Sequence, residues 1–290
     1  MKKFLSLLMA MAMVACLFAA CGETEVTPET TGDEVTETVT FTVGTNAEFA
    51  PFEYVENNEI VGYDIDMAAE IANDMGAELV IENMDFDGLV TAVSTGKIDA
   101  AIAGMSVTEE RKESVDFSNP YYTAAQVIIV KADSETVATA ADLEGKVVAV
   151  QEGTTGDIYV TENCNAKEVA RYKKAVNALM DLESGKVDAV VLDEEPAKNY
   201  SAQFAGLVIL DEALTAEEYA IAVAKGNADL LDAINATIER MTQEGKFDEL
   251  KEKYGLNAPA EEEAAEETEE VVEEVAAEEV VEEAAETEAE

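Results

Sequence analysis

This chain of 290 residues predicts an α/β fold built as two similarly wired lobes, and three observations carry the expectation. Short β-branched runs alternate with segments of helical period across residues 41–257. Several strand-like runs are continuously apolar, as in a sheet covered on both faces. One unit also occurs twice, about 90 residues apart: a helix, a Gly-Lys turn, Ile/Val-Asp-Ala, then a buried strand. Its copies start at Leu89 and at Leu179.

The elements follow in chain order. Lys2 and Lys3 precede an apolar run of 17 residues, 4–20, at the short limit for a membrane span and without a charged stop-transfer flank; it predicts a cleaved export signal. The run ends Phe18-Ala19-Ala20-Cys21-Gly22, which resembles a bacterial lipobox with Phe18 in the usual place of Leu. The resemblance implies that Cys21 is the lipidated first residue of the mature chain and holds the protein at the membrane; an ordinary cleaved signal with an incidental Cys21 is the alternative. Residues 21–40, rich in Thr and Glu and without apolar period, predict a solvated tether. Residues 40–44 predict a strand, and 64–75 a helix whose apolar face (Ile65, Ala68, Ala69, Ile71, Ala72) ends at Gly76. A strand at 79–81, a helix at 88–94 and a buried strand from Ile98 to Ala103 follow. Residues 146–150 and 189–192 predict strands of a second sheet, and 228–244 a final amphipathic helix. Residues 258–290 contain sixteen Glu and no basic residue beyond 260, which predicts a disordered acidic tail, since uncompensated Glu at i and i+4 repel.

Charge and cysteine content narrow the function. The chain holds 64 acidic and 18 basic residues, a net charge of −46, which makes nucleic acid and anionic lipid surfaces poor partners. There is no His, and once Cys16 leaves with the signal and Cys21 carries lipid, Cys164 is alone. That excludes an internal disulfide and Cys/His metal sites or dyads, so neither metal nor cofactor is expected.

Arg111 lies just past the buried run 98–103, in a segment read as a short loop. With so few basic residues, an inward Arg there is a candidate receptor for a carboxylate, which its planar fork matches with two parallel hydrogen bonds. A surface pair with Glu109 or Glu113 is the alternative. In open α/β sheets ligands sit beyond the carboxyl ends of strands. The strands deliver Gly104 and Ser106 from one lobe, and Gly153, Thr154, Thr155 and Asp193 from the other. Free N–H groups and a hydroxyl at Thr154 and Thr155 suit an anion, and Asp193 suits an ammonium; a plain turn and a helix cap are the alternatives. Phe49 and Phe86 can flank a side chain or belong to the core, and Asn46 and Glu48 can read a distal polar group or be solvated.

The segments GTNAEFAPFEY (44–54), GYDIDMAAEIA (62–72), DFDGLV (85–90), GKIDAAIAGMSVTEERKESVDFSNPYY (96–122) and LDEEP (192–196) together resemble the polar amino-acid family of extracellular solute-binding proteins, receptors of ABC importers. The resemblance implies a two-lobe, periplasmic-binding-protein-like type II fold with two hinge crossings. Lobe 1 would comprise 41–124 and 220–257, and lobe 2 would comprise 125–219. It also implies that Arg111 clamps a ligand carboxylate with Ser106 and Gly104 nearby, that the loop of Thr154 and Thr155 assists, that Asp193 holds the α-amine, and that Phe49 and Phe86 stack on the ligand. Asn46 stands where some relatives carry Asp, and Ala103 where relatives for basic amino acids carry Ser, which leaves neutral polar ligands open. The implied partners are a free amino acid, an ABC permease and its ATPase, with the protein a lipid-anchored monomer on the outer face of the cell membrane. No enzyme is expected, since a Ser–base pair and His are both missing. A dehydratase-like enzyme on the same fold and a free-standing sensor are the alternatives.

Overall fold

The computed structural model describes residues 39–256. The expected export signal, Cys21, the tether up to residue 38 and the acidic stretch 258–290 lie outside the described residues. Within them no helix is long and apolar enough to cross a membrane.

Two five-stranded sheets organise the chain. The first runs Glu78–Asn83, Thr40–Thr45, Ala100–Ala101, Ala222–Ala224, Val115–Phe117. The second runs Glu168–Tyr172, Val147–Gln151, Ala189–Asp193, Gln126–Lys131, Leu207–Ile209. In each, the three strands first given are parallel with chain order 2-1-3, and the fourth runs antiparallel to them. That fourth strand is contributed in both sheets by chain that has just left the other sheet. The two passages lie side by side as an antiparallel pair, Tyr122–Ala124 with Glu217–Tyr219. The expectation of an α/β molecule with two sheet-rich lobes is borne out.

The repeated unit has a local physical basis. Gly96 and Gly185 turn the chain at φ 71° and 74°, a conformation open to Gly at little steric cost. The Asp that follows each turn ties down the backbone of the neighbouring parallel strand: Asp99 accepts from the Thr42 N–H at 2.7 Å, and Asp188 from the Val147 N–H at 2.8 Å. The strand Ala189–Asp193 is buried throughout, as its unbroken apolar run requires. Of the strand expected from Ile98 to Ala103 in the first lobe, only Ala100–Ala101 pairs in the ladder, because the chain then turns at Gly104. Helices Tyr63–Met75 and Ala228–Gln243 pack together with Ile71, Ala72, Ile234 and Met241 in the core. Around the passages an aromatic cluster fixes the geometry, with Phe52 centroids 4.9 Å from Tyr122 and 5.2 Å from Tyr219.

Candidate functional site

Strand order 2-1-3 places a switch point between the first and third strands of each sheet, where the following loops diverge and leave a crevice. The segments after those four strands carry the candidate residues other than Phe86, which follows Glu78–Asn83. Asn46 follows Thr40–Thr45, Gly104 and Ser106 follow Ala100–Ala101, Thr154 and Thr155 follow Val147–Gln151, and Asp193 ends Ala189–Asp193. Phe49, Phe86, Gly104, Ser106, Arg111, Gln151, Thr154, Thr155 and Asp193 line one small enclosed cavity between the sheets.

Arg111 is not in a loop as the sequence suggested. It sits in a short helix, Glu109–Ser114, because Thr108 caps that helix by accepting the Arg111 N–H at 3.1 Å. The side chain is 7% exposed. Its Nη1 donates to the Ser106 carbonyl at 2.6 Å, and its Nη2 crosses to the Gly153 carbonyl of the other lobe at 2.9 Å. The guanidinium lies over the Phe86 ring, 5.3 Å from the centroid. Among the described residues no carboxylate comes within ion-pair distance of it, so the surface pair with Glu109 or Glu113 does not form. Burial lowers its pKa, while Asp193, Glu217 and Glu110 work in the opposite direction.

Asp193 is 4% exposed and accepts from Tyr219 Oη at 2.5 Å. Burial, then the nearby Glu217 charge, push its pKa up to about 7, against hydrogen bonds from Tyr219 and Gln126 and the Arg111 charge. Although it stands at the N-cap position of helix Glu194–Ser201, its side chain makes no capping bond. Thr154 does cap: its Oγ1 accepts the Asp157 N–H and donates to the Gln151 carbonyl at 2.8 Å, so the hydroxyl holds the turn. The first N–H groups of helix Thr155–Asn163 are left without intrahelical partners. Gly104 takes φ 52°, with its absent Cβ 2.9 Å from Phe49 Cε1, and its N–H donates to buried Asp64 at 2.8 Å.

Asn46 is not on the cavity wall. It reaches the wall through Gln151, whose Nε2 donates to Asn46 Oδ1 at 2.9 Å. Glu48 faces away from the cavity, paired with Lys174. Sequence reasoning missed Gln151, although a polar residue ending the apolar run 147–150 was a visible signal. It also missed Glu217 and Tyr219, one acid among 64 and one tyrosine among 9, which nothing local distinguishes. The described residues contain no cluster of His, Cys, Asp and Glu able to hold a metal ion. A buried cation and a buried acid from opposite lobes, with hydroxyls and helix-start N–H groups between them, can hold a small zwitterion.

Comparison with known proteins identifies the family. Residues 41–257 match the family described as bacterial extracellular solute-binding proteins, family 3. A probable histidine-binding protein of Campylobacter jejuni is 34% identical over 258 residues, covering 88% of this chain and 100% of that protein. The crystal structure of a mutant of ArgBP from T. maritima superposes with TM-score 0.72 at 46% identity, covering 75% of this chain and 96% of that one. An ancestral arginine-binding protein bound to glutamine gives TM-score 0.71 at 43% identity, covering 74% and 97%. Through residues 41–257, this chain belongs to the bacterial extracellular solute-binding proteins of family 3.

Proposed function

We propose that the cavity binds one free amino acid, with Arg111 on its α-carboxylate and Asp193 on its α-ammonium, and that the loaded protein is the receptor of an ABC importer. The observation that carries this reading is the buried Arg111 guanidinium, unpaired by any carboxylate among the described residues, opening on the same cavity as Asp193. A ligand carboxylate supplies the missing partner. The first-turn N–H groups of helix Thr155–Asn163 add donors for the same group.

Arginine is the favoured ligand. Around the cavity stand one guanidinium, Arg111, and two carboxylates, Asp193 and Glu217, an excess of acid that complements a ligand of net charge +1. The similarity to arginine- and histidine-binding proteins supports the same class. Ligand contacts made to both sheets exist together only when the lobes close about the strands Tyr122–Ala124 and Glu217–Tyr219, so binding shifts an open–closed equilibrium toward the closed form. A permease with its ATPase would recognise that form, and lipid on Cys21 would keep the receptor at the membrane. A thermal-shift screen of the twenty amino acids tests the reading. A ligand at 100 times its Kd stabilises the fold by about 2.7 kcal/mol. The expected result is a clear rise in Tm with L-arginine, a smaller one with histidine or glutamine, and none with acidic amino acids. No rise with any amino acid at millimolar concentration overturns it.

A further inference from the structure

Glu217 touches the site without lining it. It begins the passage strand Glu217–Tyr219, paired with Ala124 of the other passage. Its Oε2 accepts from Ser106 Oγ at 2.5 Å and from Thr155 Oγ1 at 2.7 Å, one hydroxyl from each lobe. Its Oε1 accepts from Thr215 Oγ1 at 2.7 Å, and that hydroxyl oxygen is in turn held by the Gln126 backbone N–H at 2.9 Å. Both Ser106 and Thr155 line the cavity.

A hydroxyl has one hydrogen and two lone pairs, and an ionised carboxylate only accepts. Each hydroxyl that donates to Glu217 therefore has nothing left to donate to a ligand. Thr155 Oγ1 also accepts from Gln126 Nε2 at 3.1 Å, which leaves it one lone pair, while Ser106 Oγ keeps two. Without Glu217, either hydroxyl could rotate and offer its hydrogen to a carboxylate or a neutral carbonyl.

We infer that Glu217 is a positioning residue for ligand selectivity: by holding the hydroxyl hydrogens of Ser106 and Thr155 on its Oε2, it turns both into obligate acceptors, so the wall demands an α-ammonium. This rests on the amino-acid reading above and adds to it a residue that fixes which end of the ligand those hydroxyls meet. It also assigns directions within the cavity. The α-carboxylate is left to Arg111 and the helix-start N–H groups, and the α-ammonium to Asp193 and the two hydroxyl oxygens. Because one hydroxyl comes from each lobe, the array is complete only while the lobes are closed.

The test compares two probes that differ only in the α-amine, L-arginine and 5-guanidinopentanoate, by calorimetry on the parent, E217Q, S106A and the double variant S106A/E217Q. The parent should prefer L-arginine by about 100-fold or more, since a site built for a hydrogen-bonding group rejects the analogue lacking it. In E217Q the amide can donate to one hydroxyl and release that hydroxyl's hydrogen toward the cavity. Affinity for L-arginine should fall at least tenfold while that for the analogue changes less than threefold, so the preference collapses. S106A should lower the same preference, and E217Q added to it should cost less than E217Q alone. Should E217Q not fold, S106A still reads the acceptor role through the two-probe ratio. Parallel loss of both ligands in E217Q, or an unchanged ratio in both single variants, overturns the inference and leaves Glu217 a structural tie. A parent that binds no amino acid at all overturns the amino-acid reading itself.

Discussion

Replacing Arg111 with alanine removes the only buried guanidinium that faces the cavity among the described residues, and its effects on binding and on folding can be separated. On the binding side, truncating one member of a desolvated charge pair costs about 2–5 kcal/mol, which raises Kd by about 30- to 5000-fold. On the folding side, the side chain gives two hydrogen bonds, to Ser106 and Gly153, and one ring contact, to Phe86. Hydrogen bonds to a charged group contribute about 1.5–3 kcal/mol each, but burying the guanidinium opposes them, as its lowered pKa records. The bond to Gly153 is also lost whenever the lobes part. A net stability loss of about 1–2 kcal/mol is expected, worth about 2–4 °C in Tm per kcal/mol at this size. Calorimetry with L-arginine at pH 8, beside thermal melts of the ligand-free protein, reads both quantities. Arg111→Lys keeps the charge and loses the planar fork, so its affinity should fall between parent and alanine variant. An alanine variant that binds L-arginine within about threefold of the parent, or one that melts before it can be titrated, refutes the assignment.

Other outcomes follow from the same geometry. Asp193 sits at a pKa of about 7 in the free cleft, and a bound ammonium would lower it, so protons compete with the ligand. Affinity should fall about tenfold between pH 8 and pH 6; a flat calorimetric profile over that range contradicts it. Asp64, buried beside Glu53, is raised to about 6 chiefly by burial, with bonds from Gly104 and Tyr121 opposing. A raised carboxyl binds more protons folded than unfolded, so the stability it contributes is full below about pH 4 and is lost as pH rises through 6, about 3 kcal/mol in all. Urea melts at pH 5 and pH 8 should show a smaller pH difference in Asp64→Asn than in the parent, and equal differences would refute it. Gly104→Ala places a Cβ 2.9 Å from Phe49 Cε1 at φ 52°, so L-arginine affinity should drop about tenfold with the fold retained; unchanged affinity would show that this wall is not used.

Much of the architecture was legible because it rests on short-range patterns. The strands at 40–45, 147–151 and 189–193 announce themselves by β-branched runs that only a doubly covered sheet can bury. The paired turns at Gly96 and Gly185, each followed by Asp, mark two lobes of like wiring in the sequence itself. The candidate site was legible as a set of strand-end positions, with Gly104, Ser106, Thr154 and Thr155 just beyond strands and Asp193 at the end of one. Arg111 was found by its scarcity and position, while its helix was hidden because 109–114 has too little apolar period to show one. Glu217 and Tyr219 carried no local signal, Glu217 lying 111 residues from Ser106 and Tyr219 lying 26 from Asp193 in sequence.

The sequence by itself determined five of the strands, that two alike units exist, and that an aspartate ends one strand while an arginine follows soon after another. Periodicity and turn chemistry act over a few residues, so one dimension suffices to read them. Tertiary structure alone decided that Asn46 meets the cavity through Gln151, that Thr154 spends its hydroxyl on a helix cap, and that Glu217 collects a hydroxyl from each lobe. Those outcomes depend on distances between chain segments far apart in order, which are set by how the two sheets pack about the passages Tyr122–Ala124 and Glu217–Tyr219.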